Sequence, residues 1–219
     1  QIKSRSPETI QLRSVHGAAQ SANKALLCYF SSYYAAALNG RFAEARQDIF
    51  SVNLSGKQLQ VFINWLHTGK LELHSWDRED RVKIYIFADL VDILALRREI
   101  MTEKGRMERY REVGLVISHL PRNSPYRRRV VDYYANHWKP EDDMYDPISS
   151  LEITTHREFY REVVQSEVLA NISGRTGCSC CTNVCNFHEH ESEEEWNATC
   201  GQLPKLRMPE KQYFTKRAS

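Results

Sequence analysis

The sequence predicts an α+β fold in which helices predominate and short extended segments form a small sheet. Apolar residues recur at three- and four-residue spacing in residues 24–38 and 56–66, which is typical of helices with one buried face. Between them, residues 49–54 alternate as a strand does. Hydrophobic residues make up 42% of the chain and charged residues 26%, close to the globular average, which argues against wholesale disorder.

The first elements are predicted as follows. Residues 1–22 are polar and lack steady periodicity, so we expect them to be mostly unstructured. A helix over residues 24–38 begins after a cap at Asn23 or Ser21 and ends before Gly40, because glycine tolerates the left-handed turn that follows a helix. Its predicted buried positions are Leu26, Leu27, Phe30, Tyr33, Tyr34, Ala37 and Leu38.

The rest of the chain is predicted to be mainly helical. The helix over residues 56–66 buries Leu59, Phe62, Ile63 and Leu66, and Thr68-Gly69 ends it. Residues 139–155 contain prolines and an acidic run, so we expect a linker or a long loop. Further helices are predicted over residues 77–90, 97–110, 125–138 and 156–172, with another apolar segment at 113–120. In the last helix the predicted apolar positions are Phe159, Val163, Val164 and Leu169.

Charge and hydropathy narrow the function classes. The net charge of +2 gives no general argument for binding nucleic acid or a membrane. No run approaches 18 consecutive apolar residues, so we expect no membrane span. The N-terminus lacks an initiator Met and an apolar signal core, so we interpret the chain as a fragment or a processed form. A reducing compartment, cytoplasmic or nuclear, is therefore expected.

Four motifs together resemble the BTB/POZ domain, in particular the divergent BTB proteins of filamentous fungi. They are Leu26-Leu27-Cys28-Tyr29-Phe30-Ser31-Ser32-Tyr33-Tyr34, Asn39-Gly40-Arg41-Phe42-Ala43-Glu44, Trp65-Leu66-His67-Thr68-Gly69 and Tyr85-Ile86-Phe87-Ala88-Asp89-Leu90-Val91-Asp92-Ile93. The resemblance covers about a third of the chain. It implies four segments: a divergent or disordered N-terminus (1–23), a BTB/POZ-like domain (24–96), a helical extension (97–173) and a Cys/His-rich tail (174–219).

The resemblance also implies a mode of action and exposes a difference. Such domains self-associate as homodimers or dock to a cullin-type ubiquitin-ligase scaffold, and neither activity needs catalytic residues. The family's β-hairpin normally precedes this region, completes the sheet and often contributes to dimer exchange. Residues 1–14 show no convincing apolar alternation, so the hairpin is predicted to be missing or divergent, which leaves an edge strand that needs covering.

The C-terminal cysteines and histidines predict a possible structural zinc site. Zinc needs four nitrogen or sulfur ligands, and short Cys-x2-Cys loops supply two of them. Cys178 and Cys181 have that spacing, and Cys185 with His188 offers a second pair, which would hold about one ion per chain. Alternate ligands are Cys180, His190 and Cys200. Unliganded thiols and a disulfide or redox role remain open alternatives.

The function predicted is a non-catalytic protein–protein interaction module, acting in oligomerisation or as an adaptor. No nucleophile–base pair is recognisable, and Cys28 falls in an apolar helix where thiols are usually inert. The alternative is a zinc-dependent, nucleic-acid-associated regulator. Residues 127–129 are three arginines, which we interpret as a solvated surface run, and the acidic residues 189–195 would repel phosphate. Nucleic acid is therefore a less favoured partner than protein.

Overall fold

The fold is given by a computed structural model, which describes residues 9–39, 47–72, 77–102, 109–139, 153–174, 178–182 and 184–202. Helices predominate beside one small three-stranded sheet, which confirms the predicted α+β class. The chain divides into two compact units, residues 1–100 and 101–219. None of the described helices combines the length and apolar character needed to cross a bilayer. The predicted turn at Gly40 and the predicted linker centre lie outside the described residues.

The first described elements form a β-hairpin, so the prediction that residues 1–22 are mostly unstructured is wrong, and of the two expectations for the hairpin, missing or divergent, the first is wrong. Strand β1 (Thr9–Arg13) pairs antiparallel with β2 (Ala19–Asn23) and parallel with β3 (Ile49–Ser51), giving the order β2-β1-β3. Only Ile10 and Leu12 of β1 are buried, an alternation too short to stand out in the sequence. Pairing with β2 on one side and β3 on the other stabilises β1 as a strand, although its own sequence pattern hardly specifies one.

The predicted helix over residues 24–38 is two helices, α1 (Lys24–Phe30) and α2 (Ser32–Asn39). The Asn23 side chain caps α1 by accepting the N–H of Leu26 at 3.0 Å. Asn23 is one of the two caps that the sequence predicts. The chain changes direction at the buried Ser31, whose hydroxyl donates to the carbonyl of Val91 and accepts the N–H of Tyr34. That tertiary contact replaces the helical continuation that the apolar periodicity predicts.

Helix α3 (Gly56–Thr68) provides much of the core of the first unit. Phe62 is fully buried and Trp65 is 2% exposed, and the Trp65 ring lies 5.1 Å from that of Phe30 between centroids. Gly69 ends the helix at φ +66°, the left-handed conformation predicted for this turn. Helices α4 (Arg78–Leu90) and α5 (Leu94–Thr102) follow. The motif over residues 65–69 therefore has a structural role: it contributes Trp65 to the core and ends α3 at Gly69.

Glu99 of α5 holds the end of α3. Its carboxylate accepts the indole N–H of Trp65 and the backbone N–H of Leu71, both at 2.6 Å. A carboxylate that accepts two hydrogen bonds in a part-buried place fixes both donors. The C-terminal end of α3 is therefore positioned by a residue 34 positions beyond Trp65 in the chain.

The second unit contains α6 (Tyr110–His119), α7 (Pro125–His137) and the long α8 (Ile153–Ile172). The rings of Tyr110, Tyr134 and Phe159 pack against one another. Of the predicted apolar positions of this helix, Phe159 is buried, whereas Val164 and Leu169 are exposed. After α8 come α9 (Ser179–Thr182), a 3-10 helix (Val184–Phe187), α10 (Glu193–Ala198) and a second 3-10 helix (Cys200–Gln202).

Arg127 corrects the interpretation of residues 127–129 as a solvated surface run. Its side chain is buried, donates to the carbonyls of Ile117 and Leu120 at 2.9 and 2.8 Å, and pairs with Glu158 and Glu162 at 2.6 Å. The first two bonds satisfy carbonyls at the end of α6 that have no helical partner. Arg127 thereby joins three helices, and its positive charge pairs with glutamates of the same unit.

Candidate metal centre

The end of the chain brings four metal-binding side chains together. Cys185, His188, His190 and Cys200 are all buried, and one donor atom of each lies within 4.8 Å of the others. Cys185 Sγ lies 3.3 Å from His190 Nε2, and Cys200 Sγ lies 3.0 Å from His188 Nδ1. Two sulfurs and two imidazole nitrogens are a donor set of structural zinc sites. We refer to these four residues as the Cys185 cluster.

Short helical turns flank or carry the ligands of the Cys185 cluster. Cys185 lies in one 3-10 helix, His188 follows that helix directly, and Cys200 begins the other. Between them, α10 is capped by Ser192, whose hydroxyl accepts the N–H of Glu195 at 3.1 Å. Three glutamates occupy the first turn of α10, where negative charge is favourable at a helix N-terminus. The acidic run thus stabilises the turn that returns the chain to the histidines.

Other side chains surround the donor atoms. The indole N–H of Trp196 donates to Cys185 Sγ at 2.9 Å. Thr102 Oγ1 lies 3.4 Å from His188 Nε2, the nitrogen that points away from Cys200. His190 Nδ1 has no hydrogen-bond partner among the described residues, and a carboxylate oxygen of Glu195 is 4.0 Å away. Such outer groups orient metal ligands and tune their basicity.

Gly201 allows Trp196 to approach the cluster closely. A Cβ atom at Gly201 would lie 2.8 Å from Cζ3 of the Trp196 ring and 3.2 Å from its carbonyl oxygen. Real Cβ atoms do not make contacts as short as the first. The absence of a side chain beside Cys200 therefore lets the indole lie against this turn.

The cluster favours the thiolate form of Cys200. The hydrogen bond with Cys185 contributes most to lowering the pKa of Cys200 far below its usual range, and His188 and His190 lower that pKa further. Burial acts in the opposite direction and is outweighed. Since the thiolate is the form that binds metal, the electrostatics of the cluster suit a cation.

Two pairs of donor atoms in the Cys185 cluster have a spacing close to that found around zinc. Tetrahedral zinc, with bonds of about 2.3 Å to sulfur and about 2.0 Å to nitrogen, holds such donors about 3.5 Å apart. The two sulfur–nitrogen distances of 3.3 and 3.0 Å are a few tenths of an ångström shorter. The donors of these two pairs would therefore have to move slightly apart to hold an ion.

The structure groups the predicted ligands differently from what their spacing along the sequence predicts. Cys185 and His188 lie together as predicted, and His190 and Cys200, which the sequence offers as alternates, complete their group. Cys178 and Cys181 lie instead with His137, a residue that sequence reasoning missed. The side chain of Cys180 is outside the described part of the chain. His137 belongs to α7, far upstream, and no local spacing could connect it to the cysteines.

Comparison with models of known protein families gives no match to this chain, and comparison with curated proteins gives no significant match.

Proposed function

We propose that the chain is a non-catalytic protein–protein interaction module, with a BTB/POZ-like first unit and a second unit stabilised by zinc in the Cys185 cluster. The observation that carries the proposal is the hairpin of β1 and β2, joined through β1 to β3 in one sheet. The resemblance implies such a hairpin ahead of α1, yet the sequence pattern of residues 1–14 does not suggest one. Its presence supports the resemblance independently of the motifs.

Exposed apolar side chains of the first unit offer contact points for a partner. Tyr29 of α1 is 77% exposed and Leu90 of α4 is 72% exposed. Large aromatic side chains are enriched at protein interfaces, where they bury much area at little entropic cost. We therefore place Tyr29 in the contact surface for self-association or for a cullin-type scaffold.

The interaction proposal predicts association that Tyr29 supports. The chain should elute as a dimer in size-exclusion chromatography with light scattering, or bind a cullin-type scaffold, with little dependence on salt. Tyr29→Glu should reduce that association at least tenfold without lowering the melting temperature, because the side chain is largely exposed. His67→Ser, also at an exposed position of the first unit, is the matched control.

Two results would count against the interaction proposal. A monomer at all concentrations that binds no cullin-type scaffold would contradict it directly. Binding to nucleic acid that weakens steeply as salt rises would instead support the nucleic-acid alternative. Against that alternative, Arg127 is committed to Glu158 and Glu162, so it offers no charge to phosphate.

Zinc at the Cys185 cluster would act as a cross-link. The short elements that carry its ligands are the two 3-10 helices and the segment between them, which are too short to bury a core of their own. In small segments of this kind the free energy of metal binding contributes to folding. Zinc would therefore hold the C-terminal turns in place without taking part in chemistry.

The zinc proposal predicts a loss of metal in one specific variant. Cys200→Ser should release about one zinc ion per chain and lower the melting temperature, because the site loses a thiolate ligand. Elemental analysis of the purified full chain measures the first effect and circular dichroism the second. Cys28→Ser, which changes a cysteine of the first unit, should leave the metal content unchanged. Equal metal content in Cys200→Ser and wild type would refute zinc binding at this cluster.

A further inference from the structure

A second group of metal-binding side chains lies where α7 ends and α9 begins. His137, Cys178 and Cys181 each place a donor atom within 4.8 Å of the others, and Cys181 Sγ lies 3.2 Å from His137 Nε2. Asp132, one helical turn and a half before His137, brings a carboxylate oxygen to 3.2 Å from Cys178 Sγ. Asp132 and Cys178 are both buried. The group shares no residue with the Cys185 cluster.

These donors suit a divalent ion of intermediate softness. Two thiolates and one imidazole are all established ligands of zinc, whereas calcium and magnesium prefer oxygen donors alone. The buried carboxylate of Asp132 and the sulfur of Cys178 would repel each other if both were negative, and a cation bound to Cys178 offsets that repulsion. The Cys-x2-Cys spacing of Cys178 and Cys181 lets one turn supply both sulfurs.

The oxidation state of Cys178 determines whether the group can bind metal. In this structure Cys178 is disulfide-bonded, and a disulfide sulfur is not a thiolate ligand. Cys181 forms no disulfide. A dithiol reductant transfers two electrons and two protons to the disulfide, which becomes two thiols, while the reductant closes to a cyclic disulfide. The thiols of Cys178 and Cys181 then each release a proton when the metal binds.

We propose that the reduced chain holds a second zinc ion at His137, Cys178 and Cys181, with Asp132 beside Cys178 as an outer partner, and that oxidation of Cys178 prevents this binding. The site is separate from the Cys185 cluster and does not depend on zinc there. It links α7 to the C-terminal segment only under reducing conditions. The second site thus makes the attachment of that segment sensitive to thiol–disulfide exchange.

Metal stoichiometry tests the proposal on the full chain. The protein is reduced with dithiothreitol, desalted without oxygen, loaded with zinc and desalted again, and it should then contain about two ions per chain. Treatment of the metal-free protein with glutathione disulfide re-forms the protein disulfide and yields two glutathione thiols. Zinc loading after that treatment should give about one ion per chain, because only the Cys185 cluster binds.

Single variants assign each ion to its site. In the reduced protein, the zinc content should fall to about one ion per chain in His137→Gln and likewise in Cys181→Ser. Cys200→Ser should lose the other ion instead. The combination of His137→Gln with Cys200→Ser should bind none. His119→Gln, at the exposed end of α6, is the matched control and should keep both ions. Cys181 is exposed, so its variant should fold even if His137→Gln does not.

Two outcomes separate failure here from failure of the zinc proposal above. If reduced wild type and Cys181→Ser both contain about one ion and Cys200→Ser contains none, the second site does not exist and the Cys185 site stands. If Cys200→Ser changes nothing while Cys181→Ser loses metal, only the second site binds. Equal zinc content before and after glutathione disulfide treatment would overturn the redox dependence.

Discussion

At the scale of single residues, the candidate metal centre depends on side chains that do not bind the ion themselves. Trp196 donates an N–H to Cys185 Sγ, and Gly201 leaves room for the indole ring. An N–H···S bond stabilises negative charge on the sulfur and fixes its direction. The sequence pattern indicates all four candidate ligands but neither of these two supporting residues, because their roles follow from contacts with atoms brought close only by folding.

Trp196→Phe tests this supporting role. The change keeps an aromatic ring but removes the N–H donor, and we expect zinc to bind about tenfold more weakly, as removal of an outer-shell partner typically does. Competition with a chromophoric chelator measures the affinity. Trp65→Phe removes an indole N–H in the first unit, where it reaches Glu99, and should leave the zinc affinity unchanged. Equal affinities in wild type and Trp196→Phe would show that the N–H···S bond has no effect.

At the scale of elements, the apolar periodicity predicted most helices. It did not predict the positions at which tertiary contacts divide a helix or add a strand. The apolar pattern over residues 24–38 reads as one helix, yet the buried contact of Ser31 with Val91 divides it. The hairpin was missed because β2 buries only Ala22 and gains its stability from pairing with β1. In the second unit, Arg127 looks like a surface residue in sequence and is a buried link between helices.

Arg127→Met should destabilise the second unit strongly. It leaves the Glu162 carboxylate, with a side chain only 12% exposed, without its buried partner and paired with the exposed Arg122 alone, and it loses the bonds to two helix-end carbonyls. Removing one partner of a buried pair costs about 3–5 kcal/mol. Arg122→Met removes a 60% exposed guanidinium from the same carboxylates and should cost less than about 1 kcal/mol. Urea unfolding followed by circular dichroism measures both, and equal costs would contradict the inferred role of Arg127.

Acid should reduce the difference between Arg127→Met and wild type. The hydrogen bond from Arg127 is the largest cause that lowers the pKa of Glu158 below its ordinary 4.5. A carboxyl whose pKa is lowered by folding stabilises the folded state above its ordinary pKa and loses that contribution as the pH falls through the lowered value. Unfolding measured from pH 7 downward should therefore show the two proteins converging below about pH 4.5. A constant difference across this range would exclude a contribution from Glu158 ionisation.

At the scale of the whole molecule, the sequence by itself determined the α+β class, most of the helices and the set of residues from which metal ligands are drawn. These features are local, because helix periodicity, glycine turns and clustered cysteines each depend on residues close together in the sequence. Only the tertiary structure decided that β1 joins β2 and β3, and that Cys185 groups with Cys200 while Cys178 groups with His137. The physical reason is that strand pairing and metal coordination depend on distances between atoms far apart in the chain, which spacing along the sequence does not specify.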